Sequence, residues 1–178
     1  MKQLLVVALA LIPSLAHADG IEQNAPAENR SQVSLVVGLA TPVGEVGAEY
    51  ALAVQRHLEI AFGAGLGFSS SNLPQLAVMP RATTQLGPVK LALGLGMSEG
   101  PWNNVSAFAD DNAKPVSALW TNAEASVQLD LGERAFVRLF GGAGMLTAHS
   151  QPEQMGDAGD YTNGTVLPYV GLGFGARI

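Results

Sequence analysis

From Gln32 onward, apolar residues fall on every second position, the repeat of a strand whose two faces meet different surroundings. In the run Leu58 to Phe68, Leu58, Ile60, Phe62, Ala64, Leu66 and Phe68 share one face, and Glu59, Ala61, Gly63, Gly65 and Gly67 share the other. The run Val89 to Met97 repeats the split, with Val89, Leu91, Leu93, Leu95 and Met97 opposing Lys90, Ala92, Gly94 and Gly96. Extending the rule predicts eight strands: Gln32 to Ala40, Glu45 to Val54, Leu58 to Phe68, Gln75 to Gln85, Val89 to Met97, Leu119 to Leu131, Ala135 to Ala148 and Thr165 to Ile178. Most are long enough to cross a bilayer as tilted strands, which takes about 9 to 11 residues. Pro80 falls inside the fourth, where a closed sheet offers no edge for a missing N–H, so a bulge or a displaced strand is expected there.

The connections alternate in length. Gln55 to His57, the surroundings of Gly87, and Gly132 to Arg134 are tight turns, whereas Ser69 to Pro74, Glu99 to Ser117 and His149 to Gly164 are longer. That rhythm predicts an up-and-down barrel with turns at one end and loops at the other. The first connection, Thr41 to Gly44, is the exception, short where a long loop is expected.

The start of the chain is of another kind. Lys2 precedes an unbroken apolar run, Leu4 to Ile12, which ends at Pro13 and is followed by Ala16-His17-Ala18. Charge, short apolar run and small-x-small site predict a secretory signal peptide over 1–18, and the run is too short for a membrane-spanning helix. A flexible polar segment, 19–31, then leads into a barrel domain over 32–178.

Composition narrows the classes. The chain has 178 residues, 48% apolar and 13% charged, 21 Gly, no Cys and a net charge of −6. Few charges and many apolar residues argue against disorder, and the acidic balance argues against a nucleic-acid partner. The absence of Cys rules out disulfides and thiolate zinc sites.

The two faces permit two barrels. Either the apolar face meets lipid and the small polar face lines a narrow interior, or a soluble periplasmic lipocalin-like barrel encloses an apolar ligand. Glycine favours the first, because on a water-facing strand it gains nothing, whereas inside a small barrel it makes room for large neighbours. By parity the same face carries Glu45, Glu49, Glu59, Glu124 and Asp130 with Arg81, Lys90, Arg138 and Arg177. Such near-balance suits a closed lumen, where an unpaired charge is costly, and these nine residues are the expected lumen charge network.

The signal peptide, the alternating strands, the turn-and-loop rhythm and the stretches Ala64-Gly65-Leu66-Gly67-Phe68 and Gly171-Leu172-Gly173-Phe174-Gly175 together resemble the small eight-stranded outer-membrane β-barrel proteins, OmpX-like and OmpA-membrane-domain-like. The resemblance covers essentially the whole mature chain and lies in pattern. It implies an all-β, eight-stranded antiparallel up-and-down transmembrane β-barrel in the outer membrane of a Gram-negative-type cell envelope, in contact with outer-membrane lipid and delivered by the barrel assembly machinery. In that family the last strand ends on an aromatic residue read by that machinery. Here Ile178 takes its place, and Tyr169, Gly171 and Phe174 match loosely. Aromatic girdles are sparse, with two Trp and three Tyr, and Tyr50 falls in mid-strand.

Candidate chemistry is thin. His149, Ser150 and Glu153 lie together in one loop, but no nucleophile elbow surrounds them, so a rim lipid hydrolase is a minor alternative and no enzyme is expected. Asp110, Asp111, Asp157 and Asp160 match no calcium-loop spacing, and the GxG runs sit within strands, where no dinucleotide site forms. No cofactor or metal is expected. Trp102 and Phe108, with those four acids, are the candidate loop contacts for an unidentified partner. The reading is a monomeric barrel with a structural or adhesive role, presenting acidic loops; a soluble carrier and a small porin-like pore are the alternatives.

Overall fold

The computed structural model describes residues 31–67, 74–101, 117–149 and 163–178. Eight antiparallel strands run in chain order: β1 (Gln32–Leu39), β2 (Val46–Gln55), β3 (Leu58–Leu66), β4 (Pro74–Leu86), β5 (Val89–Pro101), β6 (Ser117–Leu131), β7 (Ala135–His149) and β8 (Val166–Arg177). Each pairs with the next, and β1 pairs with β8 from Gln32↔Arg177 to Leu39↔Val170, so the sheet closes into a barrel without a free edge. Among the described residues there is no helix. The two-residue period therefore locates every strand, and most ends agree to within two residues. The main departure is β5, which runs four residues past Met97 to Pro101 and pairs there with Ser117 at the start of β6.

Side chains alternate across the wall. Outward stand Val33, Leu35, Val37 and Leu39 on β1 and Leu93, Leu95 and Met97 on β5; Leu35 is 66% and Leu39 71% exposed. Among the described residues of the strands, Glu99 near the loop end of β5 is the one charged side chain on the outward face. From Val89 to Met97 this uncharged band spans roughly 20 Å along the barrel axis, given about 3.4 Å of rise per residue and a tilt near 40°. Inward stand the acids, the bases and the glycines. This orientation is the reverse of an apolar-ligand carrier, whose lumen would hold the leucines.

Pro80 neither bulges nor displaces its strand. Its pairing with β3 is continuous through Ile60↔Pro80, and the ladder to β5 passes from Val78↔Met97 to Arg81↔Gly94 without a register shift. The cost of the missing donor is thus confined to one interrupted stretch of one ladder. Irregularities lie elsewhere, between Ala53 and Gln55 of β2 and between Leu119 and Trp120 of β6. Tyr50, outward in mid-strand, sends its hydroxyl to Ser31 Oγ at 3.1 Å, so its polar tip reaches the end of the barrel that holds the tight turns.

Candidate functional site

The lumen is where sequence and fold bring polar chemistry together, and it is filled in two layers. The first layer closes the loop end. The short connection 41–44 folds inward: Thr41, Pro42, Val43 and Gly44 are all buried, and Val43 packs with Val36, Phe140 and Tyr169. Thr41 Oγ1 donates to the Gly44 carbonyl, Gly44 N donates to the Thr41 carbonyl at 2.9 Å, and Glu45 N donates to the Leu66 carbonyl at 3.0 Å. Gly44, at φ +88°, makes the reversal that returns the chain to β2.

Three glycines on two strands make the seat. A Cβ on Gly63 would overlap Val43 Cγ1, and one on Gly65 would overlap the Val43 and Val46 carbonyls. One on Gly47 would stand 2.9 Å from the Val43 carbonyl. This connection is an internal plug: Gly47 and Gly65 leave room for its backbone, and Gly63 leaves room for the Val43 side chain. Elsewhere in the lumen small residues likewise lie under large ones, with Gly171 beneath Phe140, Gly142 beneath Tyr169 and Gly96 beneath Met79.

The second layer is the charge cluster. Arg81, 1% exposed, lies at its centre. Its Nη1 and Nη2 donate to the two carboxylate oxygens of Glu49 at 2.8 and 2.7 Å, and Nε donates to Glu124 at 2.9 Å. Glu59 lies 3.7 Å from Nη1 and is paired with Lys90, which also reaches Gln32 at 3.5 Å. Arg138 donates from Nη1 to Glu49 at 2.7 Å and lays its guanidinium over the Phe140 ring, 4.9 Å from the centroid. Three carboxylates thus meet three cations drawn from β2 to β7, and the two-pronged Arg81–Glu49 contact fixes the geometry. Between plug and cluster is a void of about 10 Å³, lined by Val43, Glu49, Arg81 and Phe140, room for one water molecule.

Eight of the nine charges expected in the lumen therefore fall into two groups. Six form the cluster, and Asp130 with Arg177 forms a separate pair toward the turn end, where Gln85 and Gln128 donate to the same carboxylate at 3.1 and 3.2 Å. Glu45, the ninth, is half-buried. It sits just ahead of β2 at the base of the plug, four residues above Glu49. The sequence reading missed the plug and the three glutamines, Gln32, Gln85 and Gln128. Their inward parity was available, as was the coincidence of a short connection with Gly38, Gly47, Gly63 and Gly65 at its end of the barrel.

Trp102, Phe108, Asp110, Asp111, Asp157 and Asp160 lie outside the described residues, as do Ser150, Glu153 and the segment 1–30. His149 ends β7. His57 occupies the β2–β3 turn and donates from Nδ1 to the Thr83 carbonyl at 3.0 Å. Among the described residues no group of three or more His, Cys, Asp or Glu is placed to hold a metal ion. Searches of family models, of curated proteins and of solved structures return no match to this chain.

Proposed function

We propose that this chain is an outer-membrane β-barrel protein with a structural or adhesive role, in which a plugged barrel anchors loops at the cell surface. The carrying observation is the inversion of the wall: a continuous apolar face outward and paired charges inward. In water that outer face would be an apolar patch far larger than soluble monomers tolerate, whereas in a bilayer it is the solvated face. The signal peptide over 1–18 accounts for export, the barrel assembly machinery for insertion, and the turn end faces the periplasm. The three longer connections then all open outside the cell, and the reading needs neither cofactor nor catalysis.

The plug and the cluster argue against a pore. Both lie across the lumen, and an eight-stranded barrel leaves little room beyond its side chains. The test is electrophoretic mobility of the detergent-extracted protein with and without boiling, alongside cell fractionation. A heat-dependent shift and recovery with the outer membrane are expected. Recovery in the soluble periplasmic fraction with no shift would overturn the reading. In planar bilayers the same preparation is expected to show no steady conductance.

A further inference from the structure

The top of the β7–β8 pairing carries a reactive sequence. Asn163 and Gly164 form the turn that leads into β8, and both are exposed. No other Asn in the chain is followed by Gly. Gly164 stands at φ +97°, and among the described residues nothing but its chain neighbours lies within 4 Å of the place a Cβ would take. Two bonds tie the turn to β7: Gly164 N donates to the Leu146 carbonyl at 2.8 Å, and Leu146 N donates to the Thr165 carbonyl at 2.9 Å. They are the last described rungs above Met145↔Val166. Leu146 is itself fixed, fully buried and opposite Trp120 of β6.

From an exposed amide beside an unhindered glycine nitrogen, we infer that Asn163 is a site of self-modification by deamidation, and that opening of these two rungs sets its rate. The Gly164 nitrogen gives up its proton to hydroxide and attacks Asn163 Cγ. The N–Cγ bond forms, the Cγ–Nδ2 bond breaks, and ammonia leaves with a proton taken from water. Water then opens the five-membered imide at either carbonyl, giving aspartate or isoaspartate, so water is the sole co-reactant. A glycine favours the closure because no Cβ obstructs it. While the rungs are closed, the Leu146 carbonyl holds the proton that must be lost, and the turn cannot fold onto the amide. Terminal rungs open far more often than the wall below them. Asn122 lacks each condition: it is buried, its Nδ2 donates to Ser98 Oγ at 2.9 Å, and Ala123 follows it. Either product adds a negative charge at the loop end. Isoaspartate also lengthens the backbone between the two residues, which puts the rungs out of register and leaves the top of the ladder open.

The test holds the full-length folded protein at mildly alkaline pH beside the same protein kept unfolded in urea. Peptide mass spectrometry reads the conversion of amide to acid, and isoaspartyl methyltransferase labels the isoaspartate. In the folded barrel Asn163 is expected to convert while Asn122 stays an amide, more slowly than in urea by at least about tenfold, since opening must precede attack. Hydrogen exchange at the Gly164 amide should be slowed by a similar factor. Asn163→Gln should abolish labelling while the barrel still folds, and the converted wild type should lose exchange protection at the Leu146 amide. An Asn163 amide still intact in the folded barrel, after a time many-fold longer than conversion takes in urea, overturns the inference. Equal rates for folded and unfolded protein overturn it as well. Each result is read at one peptide, so none depends on where the protein fractionates.

Discussion

At the loop end the lumen is closed by an inward turn of chain carrying Val43 against Val36, Phe140 and Tyr169; a layer below, it is closed by Arg81 and the carboxylates around it. Both layers leave little empty space, but they fail for different reasons. The plug is a matter of shape, because its backbone fits only where β2 and β3 lack side chains. The cluster is a matter of count, because removing either sign strands the other in a place with little water. A substitution that adds one methyl should therefore injure the first layer, and one that removes one charge should injure the second.

The largest expected effect is at Arg81. Arg81→Met leaves Glu49, Glu59 and Glu124 facing one another with Lys90 and Arg138 as the remaining cations, and breaking a buried pair of this kind costs about 3–5 kcal/mol. Urea unfolding of the vesicle-folded barrel should show a midpoint well below wild type. Arg81→Lys should recover only part of the loss, since an ammonium cannot reproduce the two-pronged contact with Glu49. An unchanged midpoint for Arg81→Met would mean that the carboxylates are watered, and the contrast between the two layers would disappear.

The plug answers next, and through steric fit. Gly65→Ala places a methyl against the Val43 and Val46 carbonyls, which are backbone and have nowhere to move, so a loss of about 1–3 kcal/mol is expected from overpacking. Gly63→Ala meets the side chain of Val43 instead. Combining it with Val43→Ala should restore stability, whereas combining Gly65→Ala with Val43→Ala should not. The two double-mutant cycles thus separate a clash with a side chain from a clash with the chain itself. If Val43→Ala rescues both, the inward path of the connection is wrong.

These two layers were unequally legible in the sequence. The strands follow from parity alone, because a closed sheet with unlike faces must alternate, and parity also put Glu49, Arg81 and Arg138 on the inner side. What parity cannot supply is height and azimuth. It gives no reason to set Arg81 at the centre of three carboxylates, since that depends on the stagger of neighbouring strands. The plug was hidden for another reason. Thr41 to Gly44 carries no regular pattern, and the glycines that receive it also read as ordinary small lumen residues. Pro80 misled because a missing N–H was charged to the whole strand, when it interrupts the ladder on one side only.

Arg138 sharpens the comparison within the cluster. It pairs with the same Glu49 as Arg81, but through one nitrogen, and its Nε and Nη2 have no hydrogen-bond partner among the described residues. Arg138→Leu removes a charge-assisted hydrogen bond, yet it also removes two unsatisfied donors and leaves Glu49 with both prongs of Arg81. A loss of about 1–2 kcal/mol is expected, clearly smaller than at Arg81. A loss equal to that of Arg81→Met would show that neutrality of the cluster, rather than its hydrogen-bond geometry, sets the cost.

The smallest effect is expected where the lumen meets water. Asp130 and Arg177 form the same kind of ion pair as the cluster, but their side chains are 12% and 18% exposed, and Gln85 and Gln128 also donate to Asp130. Solvent screens the pair, and the glutamines keep the carboxylate satisfied after its cation is gone. Arg177→Gln should therefore cost no more than about 1 kcal/mol in low salt and less as salt is raised. The deficit of Arg81→Met should persist across the same salt series, because ions do not reach a buried centre. Measuring both variants at low and high salt separates depth from chemistry: parallel salt responses would mean that water reaches Arg81, and divergent ones that burial governs what each charge contributes.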